Sequence, residues 1–255
     1  MKSTLGYQLL GHAAAVGAAA HHFGYAFKVN HVAALVQHSP LFSGISLAAC
    51  GEIVSAAHEK KFVRSQTIFS QGDPVRHVLV LTSGCVKISQ LARNGAEVIL
   101  RLNGPGEAVG TNALSTHSNH ASAAQALRSS TALAWDASVF EVISERLPIV
   151  RRNVARILCQ RLEDMEERFR EVSTEMTAAR LRCQIIRLMR QVGLPVDGTI
   201  EITISREELG QLIGATVFTV SRLLCEWERQ GIVRNRRQTV IVCNPPAFVE
   251  LAESD

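Results

Sequence analysis

The spacing of apolar and polar residues changes character three times along the chain. From about Leu41 to Phe140 short apolar runs are cut by recurring glycines. Val78-Leu79-Val80-Leu81 precedes Ser83-Gly84, Val86-Lys87-Ile88 alternates, and Asn94-Gly95 is a hairpin turn signal. Glu97-Val98-Ile99-Leu100 then leads into the turn cluster Asn103-Gly104-Pro105-Gly106, and Leu133 to Trp135 reads as a further short strand. Short antiparallel strands at this spacing, with no long helices between them, predict a sandwich or roll.

At Pro148, a residue suited to a first helical turn, the period becomes helical. Val154, Leu158, Leu162, Met165, Phe169, Val172 and Met176 follow at steps of four and three, a coiled-coil-like stripe. Two readings fit: a helix lying on its own domain's core, or a dimer seam. The seam is favoured because Arg151, Arg152, Arg161, Glu163, Glu166, Glu167 and Arg170 charge the other faces. A helix so charged needs one apolar partner, and a second copy is the simplest. The interface is therefore expected at Val154, Leu158, Leu162, Met165, Phe169 and Val172.

The last third, from about Thr177, reads as a small domain of its own. Ala178 to Arg190 is a helix with Leu181, Ile185, Leu188 and Met189 inward, ended by Gly193-Leu194-Pro195. Ile200 to Ile204 alternates as a strand. Ser205-Arg206-Glu207-Glu208 is a capping box that opens a helix carrying Leu209, Leu212 and Ile213 and stopping at Gly214. After Ala215-Thr216 a second helix holds Val217, Val220, Leu223, Leu224 and Trp227, ending at Gln230-Gly231. Two short helices across a glycine turn are the helix-turn-helix layout. Ile232-Val233-Arg234 and Val240-Ile241-Val242, flanking basic Asn235-Arg236-Arg237-Gln238, add a hairpin wing.

With Val220, Leu223 and Leu224 inward, the opposite face of the second helix presents Val217, Phe218, Ser221 and Arg222. Recognition helices offer such N-terminal residues to major-groove base edges. Arg222 suits a guanine, and Val217 and Phe218 suit thymine methyls. Thr216, Thr219, Arg236 and Arg237 suit phosphates, and Ser205 at the mouth of the first helix joins this DNA-facing set.

Composition sharpens this only a little. The 255 residues are 47% hydrophobic and 20% charged, and the net charge of +4 permits a nucleic-acid partner without requiring one. Aromatics at 5% leave little for stacking single strands. The 6 cysteines are scattered without a CxxC, so they read as reduced thiols in a cytoplasmic protein, mostly packed as small apolar groups. No confident metal site emerges. The Ala/Gly-rich run from Leu9 to Ala20 is interrupted by Gly11, His12 and Gly17 and is too short to span a bilayer. Residues 1–30 read as a poorly ordered extension, and no membrane partner is expected. The expected division is then 31–147 sensor domain, 148–176 dimer helix and 177–255 DNA-binding domain.

Over about residues 41–250 the chain resembles the cyclic-AMP receptor/fumarate-nitrate regulator (CRP/FNR) family. The resemblance rests on Phe69-x-x-Gly72-Asp73, Ser83-Gly84-x-Val86-Lys87, Gly95-x-Glu97-x-Ile99-Leu100, Pro105-Gly106-Glu107-x-x-Gly110 and Ala179-Arg180-Leu181. It continues through Ser205-Arg206-Glu207-Glu208-Leu209-Gly210 to Thr219-Val220-Ser221-Arg222-Leu223-Leu224. It implies an α+β chain: an N-terminal antiparallel β-roll of the cyclic-nucleotide-binding jelly-roll type, a long dimerisation helix and a C-terminal winged helix-turn-helix. It further implies a homodimer on a near-palindromic operator with half-sites roughly 34 Å apart. A signal in the roll would reposition the DNA-binding domains through a hinge near Thr174 to Thr177. RNA polymerase is the partner implied for transcription.

The departures bear on the effector. The resemblance places an effector pocket at Gly110, Thr111, His120 and Ala121. Relatives that bind cyclic AMP carry Gly-Glu and Arg-Ser there, and loss of that arginine removes the bidentate contact to the cyclic phosphate. Met165 and Glu166 also replace the dimer-helix residues that would meet the base. Cyclic AMP is thus not expected, and neither is an iron–sulfur cluster, since only Cys50 lies in the first 80 residues. Phe218 stands where relatives usually carry a glutamate, so a different operator preference is expected. The signal stays open between haem on His77, His117 or His120, oxidation of Cys159 or Cys225, and no small ligand. The leading function is a sequence-specific transcription regulator. The alternative is a cyclic-nucleotide-type module that controls a protein partner without touching DNA. An enzyme is not expected, because no phosphate loop, nucleophile elbow or carboxylate pair stands out.

Overall fold

The computed structural model describes residues 36–110 and 119–253. The expected N-terminal extension, Thr111 and His117 lie outside the described residues. A short 3₁₀ turn, Pro40–Phe42, leads to α1 (Leu47–Ser55). The roll follows as β1 (His58–Phe62), β2 (Thr67–Phe69), β3 (His77–Leu91), β4 (Glu97–Asn103), β5 (Ala108–Val109) and β6 (Ala123–Asp136). Its strands run β1-β6-β3-β4, with β2 on β6 and β5 on β3, every pair antiparallel. The 15-residue β3 and 14-residue β6 form the spine, far longer than the short runs legible in the sequence.

Both faces of that spine are buried, which is why Val78 to Leu81 is apolar without alternation. Leu79, Leu81, Val86 and Ile88 meet Ala124, Ala126, Ala132 and Ala134 inside the roll. Val78, Val80, Leu133 and Trp135 face the other way, onto α1, α2 (Ala137–Arg146) and the first turns of α3 (Pro148–Thr174). The Trp135 ring meets Phe42 edge-on at 5.4 Å, and its indole N–H donates to the Ile53 carbonyl at 2.8 Å. The hairpin at Asn94-Gly95 and the turn at Asn103 to Gly106 lie where the sequence indicated.

The spine shifts register between Leu81 and Val86, and Gly84 sits in the shift with φ +92°. A Cβ at Gly84 would stand 2.1 Å from Ser130 Oγ and 2.5 Å from its Cα. Gly84→Ala should therefore destabilise the fold by about 2 kcal/mol or more in urea unfolding. Gly51→Ala, in α1 with open space around it, should be neutral or gain up to about 1 kcal/mol. Equal stability of the two variants would show that the register shift is not pinned by this glycine.

Helix α3 begins at Pro148, as expected, and runs 27 residues. Its first turns belong to the roll: Val150 and Val154 are core residues, and Asn153 Nδ2 donates to the carbonyls of Leu41 (3.0 Å) and Ser43 (2.9 Å). The expectation that Val154 sits in a dimer seam is corrected here. At 4% exposure it packs within its own chain, because the helix is still docked on the roll at that height.

After Glu175, α4 (Thr177–Val192) starts the second domain, so the helix break falls inside the expected hinge. Then come β7 (Leu194–Val196), β8 (Thr199–Thr203), α5 (Arg206–Ile213), α6 (Val217–Arg229), β9 (Val233–Arg236), β10 (Thr239–Val242) and α7 (Pro245–Glu253). The small sheet runs β7-β8-β10-β9. β7 was read only as a helix stop, yet Leu194 to Val196 pairs with Thr199 to Glu201 across a tight turn. The two domains share apolar packing: Cys85, Ile99 and Leu102 of the roll join the core built on Leu181, Ile185, Leu209, Leu212 and Ile213. Lys87, 8% exposed, pairs with Glu97 at 2.8 Å at this junction. Burial raises the Glu97 carboxyl, but hydrogen bonds from Lys87, Ser89 and Gln211 outweigh it and hold the group below the usual range. Gln211 comes from α5, so this carboxylate joins both domains.

Candidate DNA-reading surface

Four local devices fix the position of α6. Ser205 and Glu208 form the reciprocal cap, with Glu208 N–H donating to Ser205 Oγ (3.1 Å) and Ser205 N–H to Glu208 Oε2 (2.7 Å). α5 ends on Gly214 in the left-handed region (φ 66°, ψ 44°), a conformation that glycine adopts without steric cost. Gly210 then allows the turn to fold back, since a Cβ there would lie 2.6 Å from the Ala215 carbonyl oxygen. Thr216 caps α6, accepting from Thr219 N–H at 3.2 Å, with the two hydroxyls 3.0 Å apart.

α6 is anchored by Val220, Leu224 and Trp227. Trp227 meets Phe248 of α7 edge-on at 5.9 Å, and the Arg182 guanidinium lies 5.9 Å from its ring centre. Leu223 is only partly buried against this core. The opposite side is open: Val217 is 40% and Phe218 82% exposed, Arg222 is exposed, and Ser221 and Thr219 are half-buried. Phe218 and Val217 thus put apolar surface in solvent beside the Arg222 guanidinium.

The wing lies beside the mouth of α5. A groove of about 420 Å³ is lined by Ser205 and Arg206 on one side and by Arg236, Arg237 and Gln238 on the other. Arg236 is within 3.6 Å of Glu201, an exposed pair that holds it loosely. Sequence reasoning passed over the strut behind the wing. Asn235 donates its N–H to Glu228 Oε1 (2.7 Å) and its Nδ2 to the Leu224 carbonyl (3.1 Å) and Glu228 Oε2 (3.1 Å). These bonds keep the Glu228 carboxyl below the usual range and tie wing to helix.

Ser205 spends its hydroxyl on the cap. Ser205→Ala should cost about 0.5–2 kcal/mol in chemical denaturation, while Ser205→Asp, which keeps a cap acceptor, should cost much less. Equal losses would show that the cap is not what this side chain supplies.

The expected effector residues are only partly brought together. His120 is buried, its ring stacked 3.5 Å from Phe69 at 6°, and burial holds its pKa below the ordinary value despite Asp73. His77 and His120 line one groove of about 390 Å³ with Phe69 and Lys60. Gly110 lies against the His77 carbonyl, while Ala121 is exposed and its carbonyl accepts from Gln90. Burial also lowers the His77 pKa, although its Nδ1 lies 3.0 Å from Asp136. Among the described residues no group of three or more His, Cys, Asp or Glu side chains could hold a metal ion. Of the cysteines, Cys50 and Cys85 are buried and Cys159 and Cys225 exposed, so fewer are packed than the sequence suggested. Burial pushes the Cys85 thiol up to about 12.

This arrangement of roll, long helix and winged reading head agrees with comparison to known proteins. Residues 59–146 match the cyclic nucleotide-binding domain, and residues 179–251 match the Crp-like helix-turn-helix domain. The chain belongs to the CRP/FNR family. It is similar to the cyclic AMP receptor protein of Thermus thermophilus, 29% identical over 214 residues covering 84% of this chain and 97% of that protein. It is also similar to a CRP-like cAMP-activated global transcriptional regulator of Mycobacterium tuberculosis, 23% identical over 210 residues covering 82% and 94%. Among solved structures, FixK2 from Bradyrhizobium japonicum superposes with a TM-score of 0.68 at 22% identity, covering 76% of this chain and 96% of that one, which supports the fold. The chain is thus a CRP-like transcription regulator with a helix-turn-helix DNA-binding domain. Among the described residues, no helix of this CRP/FNR member is long and apolar enough to cross a membrane.

Proposed function

We propose that this regulator binds a near-palindromic duplex operator as a homodimer in the cytoplasm. In this reading α6 enters the major groove and the wing grips the flanking backbone. The observation that carries this is the open face of α6, with Phe218 and Arg222 in solvent beside the basic wing tip. Arg222 reads a guanine, Val217 and Phe218 contact thymine methyls, Ser221 adds a base-edge contact, and Thr216, Thr219, Arg236 and Arg237 hold phosphates. Ser205 acts from behind, by fixing α5.

The homodimer is supported by the stripe of α3 beyond Val154: Leu158, Leu162, Met165, Phe169 and Val172 are all at least 43% exposed in the single chain. From the family resemblance we infer RNA polymerase as the downstream partner. The effector is read as something other than cyclic AMP, because a buried histidine stacked on Phe69 stands where relatives that bind it carry an arginine.

A gel shift with genomic fragments tests the proposal. One or a few fragments should shift at nanomolar protein, with affinity falling steeply as salt rises. Absence of any salt-sensitive shift would favour a binding module that acts on a protein partner.

A further inference from the structure

Where the roll, α3 and α4 meet there is a cavity of about 730 Å³ with walls from both domains. Its lining includes Arg101 of β4, Arg156, Arg161 and Arg168 of α3, and Arg187 and Arg190 of α4. Glu107 and Asp164 are the acidic side chains in the same lining. Neither Gly110 nor His120, where the family resemblance puts an effector, is part of it, and His120 lines a separate groove.

The partners of these arginines leave positive charge over. Arg187 is satisfied by both carboxylate oxygens of Glu171. Arg156 donates to the Pro40 carbonyl (3.2 Å) and Arg168 to the Leu100 carbonyl. Carbonyls orient a guanidinium without cancelling its charge. The Nε atoms of Arg101 and Arg168 are buried with no hydrogen-bond partner at all. Buried polar atoms in folded proteins are nearly always paired, so two orphans in one wall need an explanation.

The Glu107 carboxylate in the lining is already committed. Glu107 accepts from Gly104 N–H (2.6 Å) and from Gln191 Nε2 (2.9 and 3.1 Å), and burial raises its pKa. Burial, with Arg161 and Arg168 close by, pulls Arg101 down to about 10, and Glu107 only partly offsets this. Burial likewise lowers Arg161 and Arg168. Like charges held together out of water are unfavourable unless a counter-charge enters.

We propose that this cavity is a binding site for a small phosphate-bearing anion with two or more negative charges. Arg101 of β4 and Arg168 of α3 grip it on one side, and Arg190 of α4 closes it from the other. Guanidinium forks match phosphate oxygens in pairs, and the volume falls in the range of small-ligand sites. Because both domains line the cavity, an occupant holds α4 against the roll and so sets the position of the reading head. The site goes beyond the proposed function and does not depend on DNA binding.

The test is thermal unfolding of the full-length protein titrated with sodium pyrophosphate, against sodium chloride at matched ionic strength. Pyrophosphate should raise the melting temperature progressively, since a ligand of the folded state stabilises it by mass action. Arg101→Gln should need about tenfold more pyrophosphate for the same rise, as expected for one lost charged hydrogen bond. Arg190→Gln, at an exposed position that the fold does not need, should weaken the response in the same sense. The double variant Arg236→Gln/Arg237→Gln should respond like the parent. No rise in the parent protein, a rise unchanged by both Arg101→Gln and Arg190→Gln, or a rise abolished by the wing variant would overturn the site. Gel shifts on DNA report separately, so the two readings fail independently.

Discussion

Leu162→Glu combined with Met165→Glu should leave the protein sedimenting at the mass of one chain instead of two. Leu162 is 57% and Met165 55% exposed in the single chain, and Phe169 is 76% exposed one turn further on. Fully burying such side chains is worth about 1.5–3 kcal/mol each. Two-fold symmetry counts each of them twice. Substitution removes that gain and sets four carboxylates into one apolar seam. Since neither residue packs inside its own chain, the folded content by circular dichroism should barely change. An unaltered dimer would move the seam away from α3.

Arg222→Ala should lose about 1–3 kcal/mol of operator affinity per half-site, roughly 5- to 150-fold, while binding to random duplex changes little. The geometry favours this asymmetry. Arg222 is exposed on the face opposite Val220 and Leu224, so truncating it disturbs no packing. Arg236 and Arg237 are at a hairpin tip, where losses should be nearly equal on all sequences and the salt dependence should flatten. Competition gel shifts with operator and random DNA distinguish the two classes. Equal losses for Arg222→Ala on both would make it a phosphate clamp.

What the sequence disclosed was whatever depends on neighbours along the chain. Pro148 at a helix start, the Ser205–Glu208 reciprocal cap, the Gly214 turn and the Asn94-Gly95 hairpin are decided within four residues, and all lie where they were read. Helices α1, α2 and α7 went unread because their apolar residues serve a face of the roll or of Trp227, and the period is short. β7 was hidden by its proline, which an edge strand tolerates.

For the site, exposure was the missing quantity. Val154 and Leu158 obey the same periodicity, yet one is 4% exposed and the other 43%, since the apolar stripe of α3 is covered by the roll core only in its first turns. Periodicity names a face and is silent about what covers it. Arg161 was read as part of a solvated flank. Its partners in the cavity, Arg101 and Arg190, come from other elements far along the chain, and no local pattern links them.

Ile99 and Leu102 are roll residues, but they are packed among the side chains of the DNA-binding domain. The neck after Thr174 is consequently no free swivel. Tilting the head away from the roll would wet both aliphatic chains, at a cost of about 3–6 kcal/mol if the exposure were complete. Head orientation then becomes a choice between two seats, and a signal changes it only by favouring one seat over the other by a comparable amount.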